Sequence, residues 1–125
     1  MRSFKKYYIV PATPEEIYLA LTTETTLLLW TGDRVEINPT IGGEFSLWDG
    51  SIIGKFLELE PHKKIVQEWY FGNQDEQSIV TIKLHEHPKG TSFEVNHTNI
   101  PDDAYEDIVD GWTNEYIGGL IDFYV

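Results

Sequence analysis

The sequence predicts an α+β fold in which a curved antiparallel sheet wraps one long C-terminal helix. Two observations carry this. Between Pro101 and Val125, apolar side chains recur at three- and four-residue steps: Tyr105, Ile108, Val109, Trp112, Tyr116, Leu120 and Phe123. That is the period of one buried helix face. From Arg34 to Thr98 the period moves toward two, and each run ends in turn-forming residues, as strands of a half-buried sheet require.

Taken in order, Ser3 to Val10 is rich in aromatic and β-branched residues and reads as a strand, ended by Pro11. Thr13 is placed as an N-cap, Pro14 as the first helical residue and Glu16 as the return arm of a capping box. This first short helix runs to about Leu21. Thr23 to Trp30 forms a second, closed by Thr31-Gly32-Asp33. The two make a helical hairpin able to cover one end of a sheet.

Arg34 to Ile37 is a short strand, and Gly42-Gly43 opens another through Trp48. Asp49-Gly50 is a strong hairpin turn, and Ser51 to Leu59 is the return strand. Gly54 within it suggests a bend or bulge. After the turn Glu60-Pro61-His62-Lys63 come a strand at Lys64–Phe71, a loop at Gly72–Glu76 and a strand at Gln77–Glu86. His87-Pro88-Lys89-Gly90 turns into the last strand, Thr91–Thr98. Short turns force antiparallel pairing. Alternation puts Val80, Ile82 and Leu84 on one face, and Phe93, Val95 and His97 toward the helix; Trp69 is read as inward. Asp102 or Asp103 is placed to cap the final helix, whose acidic first turn suits the positive end of its dipole.

Composition narrows the function. A chain of 125 residues suits a single domain, here residues 1–125, with one core. There is no Cys, hence no disulfide framework or thiolate chemistry. The start, Met-Arg-Ser-Phe-Lys-Lys-Tyr-Tyr, lacks the apolar run of a signal peptide, and a cytoplasmic location is expected. The net charge is −12; after Lys89 no Lys or Arg occurs, while eight carboxylates do. Phosphate backbones need clustered cations, so neither nucleic acid nor an anionic membrane is an expected partner.

Several motifs, in order and spacing, resemble the Hsp90 ATPase activator homologue family. They are Val10-Pro-Ala-Thr-Pro-Glu-Glu-Ile-Tyr18, Trp30, Ile41-Gly-Gly-Glu-Phe45 and Asp49-Gly-Ser-Ile-Ile-Gly54. The Leu57-Glu-Leu-Glu-Pro61 run with Ile65-Val66 and Trp69, then His97 and Gly111-Trp112, complete the set. The chain is similar to the C-terminal domain of the eukaryotic activator; that protein's N-terminal, chaperone-engaging domain has no counterpart in these residues. The resemblance implies the START-like helix-grip (SRPBCC) fold and a cavity between the last helix and the sheet. Members of that superfamily hold lipids, hormones or polyketides there, and others bind proteins.

Trp30, Phe45, Trp69, Phe93, His97, Trp112 and Tyr116 are the candidate ligand-binding residues. Core packing alone also explains such an aromatic stripe. Alternatively it walls a pocket for a small ligand, and so many large side chains imply a narrow one, unsuited to a long lipid. His97 is the one titratable group placed on the concave face; it is a satisfied core residue, a polar anchor or a general base. No paired-carboxylate or Ser/His/Asp arrangement emerges, so no catalytic residue is assigned. His85-Glu86-His87 sets two imidazoles on one strand face, but without a third ligand no metal is expected, nor any other cofactor. Gly118-Gly119 inside the helix marks either close packing or a flexible gate.

The expectation is a monomeric binding domain for a small apolar molecule. The alternative is a co-chaperone-like module, tied to stress response, whose acidic face meets a chaperone or other protein. A third reading is a cyclase- or hydrolase-like enzyme using His97.

Overall fold

A computed structural model describes residues 1–72 and 76–125. Seven antiparallel strands form one sheet, ordered β1-β7-β6-β5-β4-β3-β2. They are β1 (Arg2–Val10), β2 (Glu36–Ile37), β3 (Glu44–Leu47), β4 (Ile52–Glu60), β5 (Lys64–Trp69), β6 (Ser78–His87) and β7 (Gly90–Ile100). The helical hairpin, α1 (Pro14–Thr22) and α2 (Glu24–Thr31), follows β1. The loop expected at Gly72–Glu76 falls partly on residues 73–75, outside the described residues.

The local signals set these boundaries. Thr13 Oγ1 accepts from the Glu16 amide at 3.1 Å, and Glu16 Oε1 accepts from the Thr13 amide at 3.0 Å. The expected capping box is therefore complete. α2 stops at Gly32, whose φ of 69° lies in the left-handed region glycine tolerates. Trp30 Nε1 donates to the Ala20 carbonyl at 2.8 Å and ties α2 to α1.

Two expectations about β3 and β4 are corrected. Leu47 pairs with Ile52, so the hairpin loop has four residues, Trp48–Ser51, and Trp48, Asp49 and Gly50 all have positive φ. The register slips between Phe56 and Glu58, which puts the bulge at Leu57 and not at Gly54. Gly54 has a different reason: a Cβ there would run into the Glu68 carbonyl and lie 2.9 Å from the Phe45 ring.

The C-terminal helix is compound. A 3₁₀ turn (Asp102–Ala104) leads into α3 (Tyr105–Gly111), a π-helical stretch (Trp112–Ile117) and α4 (Gly118–Tyr124). Neither the 3₁₀ turn nor α3 has a side-chain N-cap, contrary to expectation; the Asp102 carboxylate instead lies 3.2 Å from the Met1 amine. Within the π stretch the Gly118 amide reaches the Thr113 carbonyl, five residues back. This wider winding brings Trp112, Tyr116 and Ile117 to the buried side together. It also advances the stripe by one residue. Leu120 stays buried, Ile121 and Tyr124 pack on the core, and Phe123, expected to be buried, is 38% exposed.

The core lies between this helix and the concave face. Val80, Ile82, Phe93, Val95 and His97 are fully buried there, with Phe56 and Ile65 beside them. Ile17, Ala20 and Leu27 of the hairpin close the far end of the same cluster.

Candidate functional site: an aromatic pocket beside the last helix

The strand register dictates which rings meet. Gly54 pairs with Trp69, and Trp69 pairs with Ser78. Trp69 lies on the concave face, and its ring turns to the helix. There it stacks on Trp112, with ring centres 5.1 Å apart and planes 18° from parallel. Trp112 leans on Tyr116 at 4.5 Å; Tyr116 reaches Trp30 at 5.2 Å and Trp48 at 5.9 Å. Offset and tilted pairs at these separations are mutually attractive.

His97 lies under the stacked indoles and is completely buried. Trp112 Nε1 donates to its Nδ1 at 3.1 Å, so the ring proton sits on Nε2, which donates to Ser78 Oγ at 2.8 Å. Ser78 Oγ in turn donates to the Thr98 carbonyl at 3.1 Å. Every polar atom in this chain has a partner. Burial pushes the imidazole pKa from its ordinary 6.5 down to about 3, so it is neutral at physiological pH. Both nitrogens are engaged, which leaves no free lone pair to take a proton from a substrate.

A pocket of about 300 Å³ opens between the helix and the ends of β4 and β5. Four rings wall it: Trp48, Trp69, Trp112 and Tyr116. Ile52 and Ile108 add aliphatic surface, while Ser51 and Gly111 leave room. A Cβ on Gly111 would meet nothing within 4 Å. The charged residues of the lining are Asp33, Asp107 and Glu115. Tyr116 is almost wholly buried, and burial raises its hydroxyl pKa. That hydroxyl forms no hydrogen bond with the described residues.

Six of the seven residues singled out from sequence share one core cluster, and His97 joins it through Trp69 and Trp112; three, Trp69, Trp112 and Tyr116, line the pocket. Trp30 supports Tyr116 from behind, His97 holds Trp112, and Phe45 and Phe93 lie deeper in the core. Sequence reasoning missed Trp48, Ile52, Ile108 and the three carboxylates. One signal was present: Asp107, Gly111 and Glu115 follow each other at four-residue steps, a single stripe along the helix beside Trp112.

The paired histidines at the other end do different work. His85 Nε2 lies 2.8 Å from Glu94 Oε1 on the convex face, and His87 Nδ1 accepts from the Lys89 amide at 3.1 Å. Burial pushes the Glu94 carboxyl up, but the His85 hydrogen bond with Lys5 and Lys83 outweighs it and holds the pKa below the usual range. Among the described residues no group of three metal-ligating side chains occurs. A wider concavity of about 1260 Å³ opens there, at the opposite ends of β4 and β5. Lys64, Lys83, Glu60 and Glu86 line it among others, and it is a broad, open depression of mixed charge.

Residues 11–120 match the family model described as "Activator of Hsp90 ATPase homolog 1-like protein". The chain belongs to this family. It is 31% identical over 110 residues to the human activator of 90 kDa heat shock protein ATPase homolog 1, an alignment covering 86% of this chain and 32% of the relative. The chain thus spans about a third (32%) of that relative's length. A crystal structure of an Hsp90 activator from Plasmodium falciparum superposes with a TM-score of 0.84 at 31% identity, covering 93% of this chain and 91% of that one. The solution structure of an Aha1 dimer from Colwellia psychrerythraea shares the fold, with a TM-score of 0.80 at 21% identity over 97% of each chain. The family's helix-grip fold is the one described above. No helix among the described residues is long and apolar enough to cross a membrane.

Proposed function

We propose that this family member is a binding domain, not an enzyme, which takes a small apolar molecule into the groove beside its C-terminal helix. The observation that carries this reading is the pocket of about 300 Å³ walled by Trp48, Trp69, Trp112 and Tyr116. Ligand sites are concave, mostly apolar and furnished with a few polar groups. The engaged nitrogens of His97 support binding over catalysis. Titration with Nile red, a neutral apolar dye, tests the site. The folded protein should take it up with quenching of Trp fluorescence, and Gly111→Leu, which fills the open space, should abolish uptake. Uptake that is absent, or unchanged in Gly111→Leu, overturns the reading.

A second reading is favoured by the activity for which the relatives are named. At 31% identity to an activator of Hsp90 ATPase, the domain acts as a co-chaperone-like module, with the acidic surface around Asp102–Asp110 meeting a chaperone. NMR shifts confined to that surface on addition of Hsp90 support it, and an unchanged spectrum removes it.

A further inference from the structure

The charge around the pocket is one-sided. Asp33, Asp107 and Glu115 line it, and Lys, Arg and His are absent from its lining among the described residues. All three carboxylates are on exposed residues. The ion pairs formed among the described residues engage other acids: Glu58, Glu68, Glu94 and Asp102. A pocket wall of aromatic rings attracts a cation to the ring faces. Anionic groups at the mouth, on a chain of net charge −12, add to that field and repel a carboxylate or phosphate ligand. The hydroxyl of Tyr116, a lining residue, makes no hydrogen bond to the described residues and supplies one acceptor for an ammonium N–H.

We infer that the pocket is built for an organic cation: an ammonium group carried on a small apolar or aromatic body. This deepens the binding reading given above and rests on it. The apolar body lies among Trp48, Trp69 and Trp112, and the charge faces Asp33, Asp107 and Glu115. A neutral apolar molecule satisfies the rings and leaves Asp107 and Glu115 unused, while Asp33 Oδ1 accepts from the Arg34 amide at 2.7 Å; an acid meets all three with like charge.

Three soluble probes of nearly one size separate the possibilities: 2-phenylethylammonium, 2-phenylethanol and phenylacetate at neutral pH. Binding is read from the indole N–H resonances of Trp48 and Trp112. The ammonium should bind about tenfold more tightly than the alcohol, with phenylacetate weakest. The Asp33→Asn/Asp107→Asn/Glu115→Gln variant, its folding checked by an unchanged unfolding midpoint, should bring ammonium and alcohol within about twofold of each other. Gly111→Leu should abolish both. Alcohol binding as tight as ammonium binding in the unaltered protein, still blocked by Gly111→Leu, overturns the cation assignment and leaves the pocket as a ligand site. No response to any probe, or identical binding in Gly111→Leu, overturns both.

Discussion

The space between the last helix and the sheet has two unlike halves. Toward β6 and β7 it is filled: Phe93, Val95, Val80 and Ile82 are completely buried against Ile117 and Leu120. Toward β3 and the start of β4 it is hollow: Trp48 and Ile52 are only partly buried, and a pocket remains between them and Trp112. The π-helical turn sits at the seam. It turns Trp112 and Ile117 inward together, one ring facing the void and one aliphatic side chain closing the core. The contrast teaches that close packing and open space are apportioned to different strands of the same sheet.

The largest test of that division compares two aromatic truncations by urea unfolding. Phe93→Ala, in the filled half, should cost about 3–5 kcal/mol because a cavity remains. Trp48→Ala, at the hollow half, should cost about 1–2 kcal/mol because its ring is partly solvated and its neighbours already border a void. Equal losses would mean that the two halves do not differ.

A pH series sharpens the seam itself. His97 is neutral when folded, with its pKa depressed from 6.5 to about 3 by burial. Unfolded, the same imidazole takes up a proton below its ordinary pKa, so acid favours the unfolded chain. Its contribution is complete above pH 6.5 and is lost as pH falls toward 3, at about 1.4 kcal/mol per unit. By pH 5 the loss from this one group should be about 2 kcal/mol. The slope should flatten in His97→Asn; an unaltered slope there would assign the acid sensitivity elsewhere.

The smallest effects come from two helix glycines and should have opposite signs. Gly111 faces the pocket, where a Cβ meets nothing, so Gly111→Ala should stabilise by about 0.5–1 kcal/mol. A Cβ on Gly119 lies 3.3 Å from Trp30 Cε3 and 3.4 Å from the Trp30 carbonyl. That ring is wedged against Trp48 and Tyr116 and cannot retreat, so Gly119→Ala should destabilise by about 1 kcal/mol. Gly119→Ala stabilising as much as Gly111→Ala would show that the helix–hairpin contact is looser than described.

The sequence made the strands and caps legible where a signal was local. Thr13-Pro14-Glu15-Glu16 spelled out its capping box, and the alternation of Phe93, Val95 and His97 told which face is concave. The π turn was not legible, because three- and four-residue apolar steps fit an unbroken α-helix equally well. For that reason the apolar steps predict a buried Phe123 and give no sign of Ile117. Glycine permits a bulge, so the sequence points to one at Gly54; the reason for Gly54 is the Glu68 backbone on the next strand, which only pairing reveals. The pocket's aromatic floor was readable as a buried stripe. Its rim was not, since Asp33, Trp48 and Asp107 come from three separated segments that converge only in the folded molecule.

The order of the sheet has a kinetic consequence. β1 is made first yet pairs with β7, Val10 opposite Thr91, and Tyr8 Oη meets Thr113 Oγ1 at 2.9 Å across 105 positions of chain. On a ribosome the opening ribbon must wait, edge unpaired, until nearly everything else has emerged. Such distant partnering slows assembly and leaves that strand's edge open to wrong pairing meanwhile.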